Sequence, residues 1–403
     1  MPDAPPIRAV IGLSPDDTVR AFEARDALRA TVRWSEMWHE DHARAFTVAK
    51  VANLDLLATI RASLDRVLRD GGTFEQWQAG LVPELQRAGW WGLVDDAALT
   101  GADHPVFVSG RRLRTIYDTN LRVSRAAGRW ARIQELKGAR PFLRYTAVMD
   151  ARTRPEHRRW HGTILPVDHE WWDTHFPPCG WFCRCTVRQL SQRELDAKGW
   201  TVSAPPVEGP PRLFYPAGRA EPVAVPAGIA PGFAYNPGKA SMAAIADRAR
   251  RSLEVAAATD RPAALAALDD LVASDAFLET LAEPGAAFPV MVLDDASRAA
   301  IGADPRVVVL SSDTYAKQRR QHPELAVADY RKLPLVGADP DVVAVEGDQV
   351  LKLLRQDDGS WLVAIVKRTA ARDELYLTSF RLQNAAGLAR LLKKTTIIVD
   401  RRK

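Results

Sequence analysis

The sequence predicts a multidomain chain. A mainly α-helical N-terminal part is closed by a small loop-rich His/Cys module, and an α+β C-terminal domain with a small antiparallel sheet follows. Three observations predict this. Helical spacing of apolar residues dominates residues 14–137. Cysteine, histidine and tryptophan then crowd into 141–195, and nine of the 27 prolines fall in 205–237. Beyond 238, two Ala-rich helices precede several short β-rich runs. The expected boundaries are a first domain over 1–200, a proline-rich linker over 201–237, and a last domain over 238–403 with its core at about 287–395.

The first helix is expected in the run from Ser14, with Ser14 as N-cap, Pro15 in the first turn, and Phe22, Leu28, Val32, Trp34 and Trp38 at roughly helical spacing. A second helix, "NLDLLATIRASLDRVLRDGG", is stopped by Gly71 and Gly72. "TFEQWQAGLVPELQRAGW" forms a third. A long basic helix carries Arg111, Arg112, Arg114, Arg122, Arg125, Arg129 and Arg132. Those arginines read either as a solvated face or as a surface for nucleic acid or an acidic partner. "FLRYTAVMD" predicts a strand, and "SQRELDAKGW" a short capped helix. Residues 205–237 read as a linker or as an extended arm on another surface. After two helices in 241–282, strands are expected at "FPVMVL", "RVVVLS", "QVLKLLRQ", "SWLVAIVKR" and "ELYLTSFRL", with a helix at "SDTYAKQRRQH".

Composition bounds the function. The chain has 403 residues, 47% hydrophobic and 26% charged, and a formal net charge of +5. That balance suits a soluble protein that meets nucleic acid or an acidic surface. No apolar run reaches the ~18 residues of a membrane span, so no membrane partner is expected. The N-terminus does not read as a signal peptide. Three cysteines, an odd number, argue for a reducing compartment rather than a disulfide scaffold.

All three cysteines, Cys179, Cys183 and Cys185, lie within seven positions, and His157, His161, His169 and His175 precede them. His157 and His161 are i and i+4. Cys183 and Cys185 are i and i+2, so in an extended strand their sulfurs share a side. His157, His161, Cys183 and Cys185 could therefore surround a tetrahedral Zn2+. The alternative is a Trp-rich core in which thiols and imidazoles are buried without a metal.

The stretch "YTAVMDARTRPEHRRWHGTILPVDHEWWDTHFPPCGWFCRCTV" resembles the head-morphogenesis module of phage Mu F-like minor head proteins. The matching positions are Asp150, Arg152, Thr153, His157, His161, Gly162, Trp171, Trp172, Pro177, Pro178, Cys183, Arg184 and Cys185. The resemblance implies a structural role in the first half of the chain. Its partners would be the portal and other phage head proteins, some relatives accompanying DNA. The implied location is the host bacterial cytoplasm during assembly, then the virion head. Related proteins often have Cys-x-x-Cys where this chain has Arg154 and His157. His157 would then replace a thiolate, with His161 as a further ligand.

In the last domain, His322 sits among Lys317, Arg319, Arg320, Arg331 and Lys332. Strand alternation puts Lys367 at the end of an apolar stripe formed by Trp361, Val363 and Ile365. Thr378 and Ser379 fall on opposite sides of the next strand, with Arg381 beyond. A base, an acid and cations around a phosphate suffice for metal-independent RNA cleavage. The order of elements is similar to phage nuclease-like domains of the barnase–EndoU–colicin–RelE type. By residue type, His322, Lys367, Thr378 or Ser379, and Arg381 could supply the catalytic groups; the resemblance implies RNA as substrate and matches at Lys367, Thr369, Thr378 and Ser379. A free-standing metal-independent RNase outside virion assembly is the alternative reading.

Overall fold

The computed structural model describes residues 16–282, 285–371 and 373–402. Two compact units divide the chain, one ending at Ala244 and the other beginning at Ile245.

The N-terminal unit is less helical than its sequence suggests. Ser14 and Pro15 lie outside the described residues, and Asp16 caps the first helix, Asp17–Glu23. The expected long first helix ends there. Strand β1 (Ala27–Leu28) pairs in parallel with β2 (Ala45–Phe46), and short helical turns lie between them. Trp34 and Trp38 owe their positions to rings rather than helical spacing. They stack on each other at 6.1 Å and each stacks on Phe214, at 5.5 and 5.4 Å.

The next helices match expectation. Leu54–Asp70 is capped by Asn53 and stops at Gly71, whose φ of 80° favours glycine. Phe74–Arg87 opens with a Thr73/Gln76 capping box. Strands β3 (Gly92–Val94) and β4 (Val106–Val108) form a small antiparallel ribbon. The basic helix spans Gly110–Glu135 and buries Leu113, Ile116, Leu121 and Trp130. Its arginines are largely structural fasteners. Arg112 donates to the Ala49 carbonyl, Arg122 to that of Cys183, and Arg129 to that of Val187. Arg114 pairs with Glu75 and Asp118.

A three-stranded antiparallel sheet follows, in the order β6 (Ile164–Pro166), β5 (Phe142–Thr146), β7 (Thr186–Leu190). The capped helix Gln192–Lys198 then ends at Gly199 in the left-handed conformation. The proline-rich stretch is an arm rather than a free linker. It forms the hairpin β8 (Arg212–Phe214) and β9 (Val223–Val225), and it buries Val225, Ile229 and Phe233 in one core with Trp38, Trp130, Trp160, Trp171 and Trp172. At its end Asn236 caps the helix Pro237–Thr259, and Gly238 lies flat on Trp130. A Cβ there would sit 2.0 Å from the Trp130 Cβ.

The C-terminal unit is α+β, but its sheet is neither small nor wholly antiparallel. Seven strands run in the order β10 (Ala287–Val292), β11 (Val307–Ser311), β15 (Leu375–Gln383), β14 (Trp361–Arg368), β13 (Gln349–Arg355), β12 (Val342–Glu346), β16 (Thr396–Asp400). The β11–β15 pair is parallel and the others are antiparallel. Strands β13 and β14 are buried on both faces, and two apolar cores flank the sheet. Continuous burial replaces the alternation expected of a half-solvated sheet. The second Ala-rich helix is two, Arg261–Ala273 and Asp275–Ala282.

Candidate metal centre

The His/Cys module is built on β5, β7 and the short helix Pro155–Trp160. Asp150 sets up the loop before that helix. Its carboxylate accepts from the Arg152 amide and the Thr153 hydroxyl, an Asx-type turn. Asp150 also takes both ends of the Arg184 guanidinium, at 2.7 and 2.5 Å. The Arg184 pair holds the Asp150 carboxyl well below the usual carboxylate range. Because Arg184 is anchored there, the residues on either side of it are free to turn the other way.

They turn to His157. Its Nδ1 lies 3.7 Å from Cys183 Sγ and 3.4 Å from Cys185 Sγ, and the three ligand atoms fall within 4.8 Å of one another. With Zn–S near 2.3 Å and Zn–N near 2.0 Å, a tetrahedral ion separates nitrogen from sulfur by about 3.5 Å. The observed spacings bracket that value. His157 Nε2 donates to the Gly228 carbonyl at 3.1 Å, which leaves the Nδ1 lone pair aimed at the sulfurs. The ring stacks on Trp160 at 4.9 Å, and His157 is buried.

The electrostatics favour a cation here. The hydrogen bond from Cys185 pulls the Cys183 thiol down, and His157 adds to it. The hydrogen bond with Cys183, together with burial, pushes the Cys185 thiol up. Once one sulfur ionises, the second resists. A divalent ion removes that conflict by binding both as thiolates. Tyr145, buried beside the sulfurs, has its hydroxyl pushed up by burial.

The other expected ligand, His161, is not in the cluster. Its Nδ1 accepts from the Ala147 amide at 3.1 Å, and its Nε2 faces Arg144. Cys179 is also apart, with its thiol donating to the His175 carbonyl at 3.3 Å. The sequence offered the Asp150–Arg184 pair only as two motif positions. Gly228, 71 residues from His157, gave no signal at all.

In the C-terminal unit, His322 caps the helix Ser312–Gln321, and its Nδ1 lies 3.0 Å from Glu324. Lys367 is exposed and 3.5 Å from Asp348. Thr378 sits where the β14–β15 register shifts, and its hydroxyl donates to the Ile365 carbonyl. Arg381 donates to the Ser379 hydroxyl at 3.4 Å. Among the five expected catalytic groups, this last pair shares a hydrogen bond, while His322, Lys367 and Thr378 are engaged with other partners.

The long basic helix and the His/Cys cluster both lie largely within one matched stretch: residues 58–188 match the family described as "Phage Mu protein F like protein". The chain is 42% identical over 193 residues to the "Putative capsid assembly protein F" of Escherichia phage Mu, covering 47% of this chain and 44% of that protein. It is 37% identical over 177 residues to the "Mu-like prophage FluMu F protein" of Haemophilus influenzae, covering 44% and 42%. The chain thus aligns with less than half the length of these curated relatives. No solved structure matches.

Proposed function

We propose that the chain is a phage head-assembly protein whose His157, Cys183 and Cys185 hold a structural Zn2+. The observation that carries the assembly reading is the 42% identity to a putative capsid assembly protein over a segment of 193 residues. Zinc held by His157, Cys183 and Cys185 would cross-link the helix Pro155–Trp160 to the segment just before β7. That link suits a module whose sheet has only three strands and whose core is shared with the proline-rich arm. Its partners on this reading are the portal and other head proteins, with DNA in the head as a further contact.

An RNase-like role for the C-terminal unit has less support, because His322 is engaged with Glu324 rather than with Lys367, Thr378, Ser379 or Arg381. The unit is better read as a docking domain. Among the described residues no helix is long and apolar enough to cross a membrane. Mass spectrometry of purified particles of the phage that encodes the chain tests the assembly reading. A few copies per filled head are expected. Its absence from every head intermediate would overturn it.

A further inference from the structure

One cavity of the N-terminal unit has no part in the metal centre. It encloses about 440 Å3 between the segment after the first helix, the long basic helix and the end of the proline-rich arm. Two arginines, Arg25 and Arg112, line it together with Asn120 and His42, and the rings of Trp34, Trp181, Phe233 and Tyr235 form part of its wall. No aspartate or glutamate is among the lining residues.

Arg25 is only 3% exposed. Its guanidinium donates to Asn120 Oδ1 at 3.2 Å and Ser124 Oγ at 3.3 Å, both neutral, and lies over the Phe22 ring. Arg112 donates to a backbone carbonyl and lies over the Trp90 ring. The Nε of each is buried without a hydrogen-bond partner. Among the described residues, no carboxylate forms an ion pair with either. Burial pulls both guanidinium groups below their ordinary range, Arg25 to about 10. A buried charge is ordinarily paired, because leaving water without a counterion costs several kcal/mol. The buried charge of Arg25, with the half-buried Arg112 lining the same cavity, leaves the counterion to come from outside the fold.

We propose that this cavity binds an organic anion, whose carboxylate or phosphate pairs with Arg25 and Arg112 and whose aromatic body packs on Trp34, Trp181 and Phe233. A planar fork of donors suits such an oxyanion, and a pocket of this size suits a small ligand or the last residue of a chain. Gly232 shapes the aromatic wall. Its φ is +86°, and a Cβ there would come within 2.8 Å of the Trp34 ring.

The test is calorimetric titration of the full chain with phenyl phosphate. Inorganic phosphate and benzyl alcohol each carry one half of the recognition. Binding near or below ~1 mM is expected for phenyl phosphate, and at least about tenfold weaker binding for either control. Arg112→Gln and Phe233→Ala should each weaken phenyl phosphate by about tenfold, while Arg112→Lys restores part of the loss. A peptide ending in a free phenylalanine carboxylate, set against its amidated form, separates a chain terminus from a small molecule as the source. If phenyl phosphate fails to bind, if benzyl alcohol or inorganic phosphate binds as well, or if Phe233→Ala has no effect, the proposal is wrong. Circular dichroism confirms folding. Should Arg112→Gln unfold, the control ligands and Phe233→Ala decide alone.

Discussion

Replacing Cys185 with serine tests the metal centre most directly. The substitution keeps the side chain's shape but removes one of three ligands, the sulfur 3.4 Å from His157 Nδ1. Metal affinity already falls ~10–100-fold when an outer partner of a ligand is lost, so losing a thiolate should cost about 100-fold or more. With free zinc at about 100 times the native dissociation constant, bound metal stabilises the fold by ~2.7 kcal/mol. A hundredfold weaker site leaves ~0.4 kcal/mol, a difference of about 2.3 kcal/mol. For a unit of this size that corresponds to about 5–9 °C in melting temperature. The assay is thermal unfolding of the full chain and of Cys185→Ser in zinc buffer and in chelator, with elemental analysis of both. The native chain should carry about one zinc and melt higher in zinc than in chelator. In chelator the two proteins should agree within ~1 kcal/mol, since a serine hydroxyl nearly fills the thiol's place. If the native chain holds no metal and its melting ignores the chelator, the argument from sulfur spacing fails.

Other outcomes are expected elsewhere. Burial holds His42 and His175 at about 4 in the folded chain, against an ordinary value of 6.5. Their folded values are depressed, so the unfolded state takes up protons first. Stability is fully present above pH 6.5 and declines as pH falls toward 4, by roughly 1–2 kcal/mol for each at pH 5. Urea midpoints at pH 7.5 and 5 measure this, and a flat midpoint would count against it. Gly238→Ala should destabilise by about 1–3 kcal/mol, because its methyl would strike the Trp130 side chain and the helix start must move. Lys352→Ala should cost ~2–4 kcal/mol by chemical denaturation, since this fully buried lysine reaches both Asp294 and the Gly337 carbonyl. Full-length chain incubated with RNA should leave it intact. Cleavage that disappears in both His322→Ala and Lys367→Ala would restore the RNase reading.

Local signals read well where the chemistry is local. Asn53, Thr73 and Ser191 accept from amides within their own first turns, and Gly71 and Gly199 end helices through positive φ. Such caps are written in three or four consecutive residues. Failures came where distant partners decide. Residues 24–51 carry helical spacing, yet Trp34 and Trp38 are placed by Phe214, nearly two hundred residues away. Strand β16 pairs with β12 and β11 pairs in parallel with β15, and nothing in 396–400 or 307–311 names those neighbours.

The site divides in the same way. By itself the sequence put His157, His161, Cys183 and Cys185 forward as one ligand set, because the Mu F-like order of residues is a local, dense pattern. It also carried the i, i+2 spacing that turns two sulfurs one way once Arg184 is held the other way. Only the tertiary structure decided that His161 is left out, since its ring is claimed by the Ala147 amide across a strand end. Only the tertiary structure supplied the Gly228 carbonyl that fixes the His157 ring, and the cavity in which Arg25 lies without a carboxylate. Hydrogen-bond partners and counterions depend on which segments the fold packs together, and residue spacing along one segment carries no record of the others.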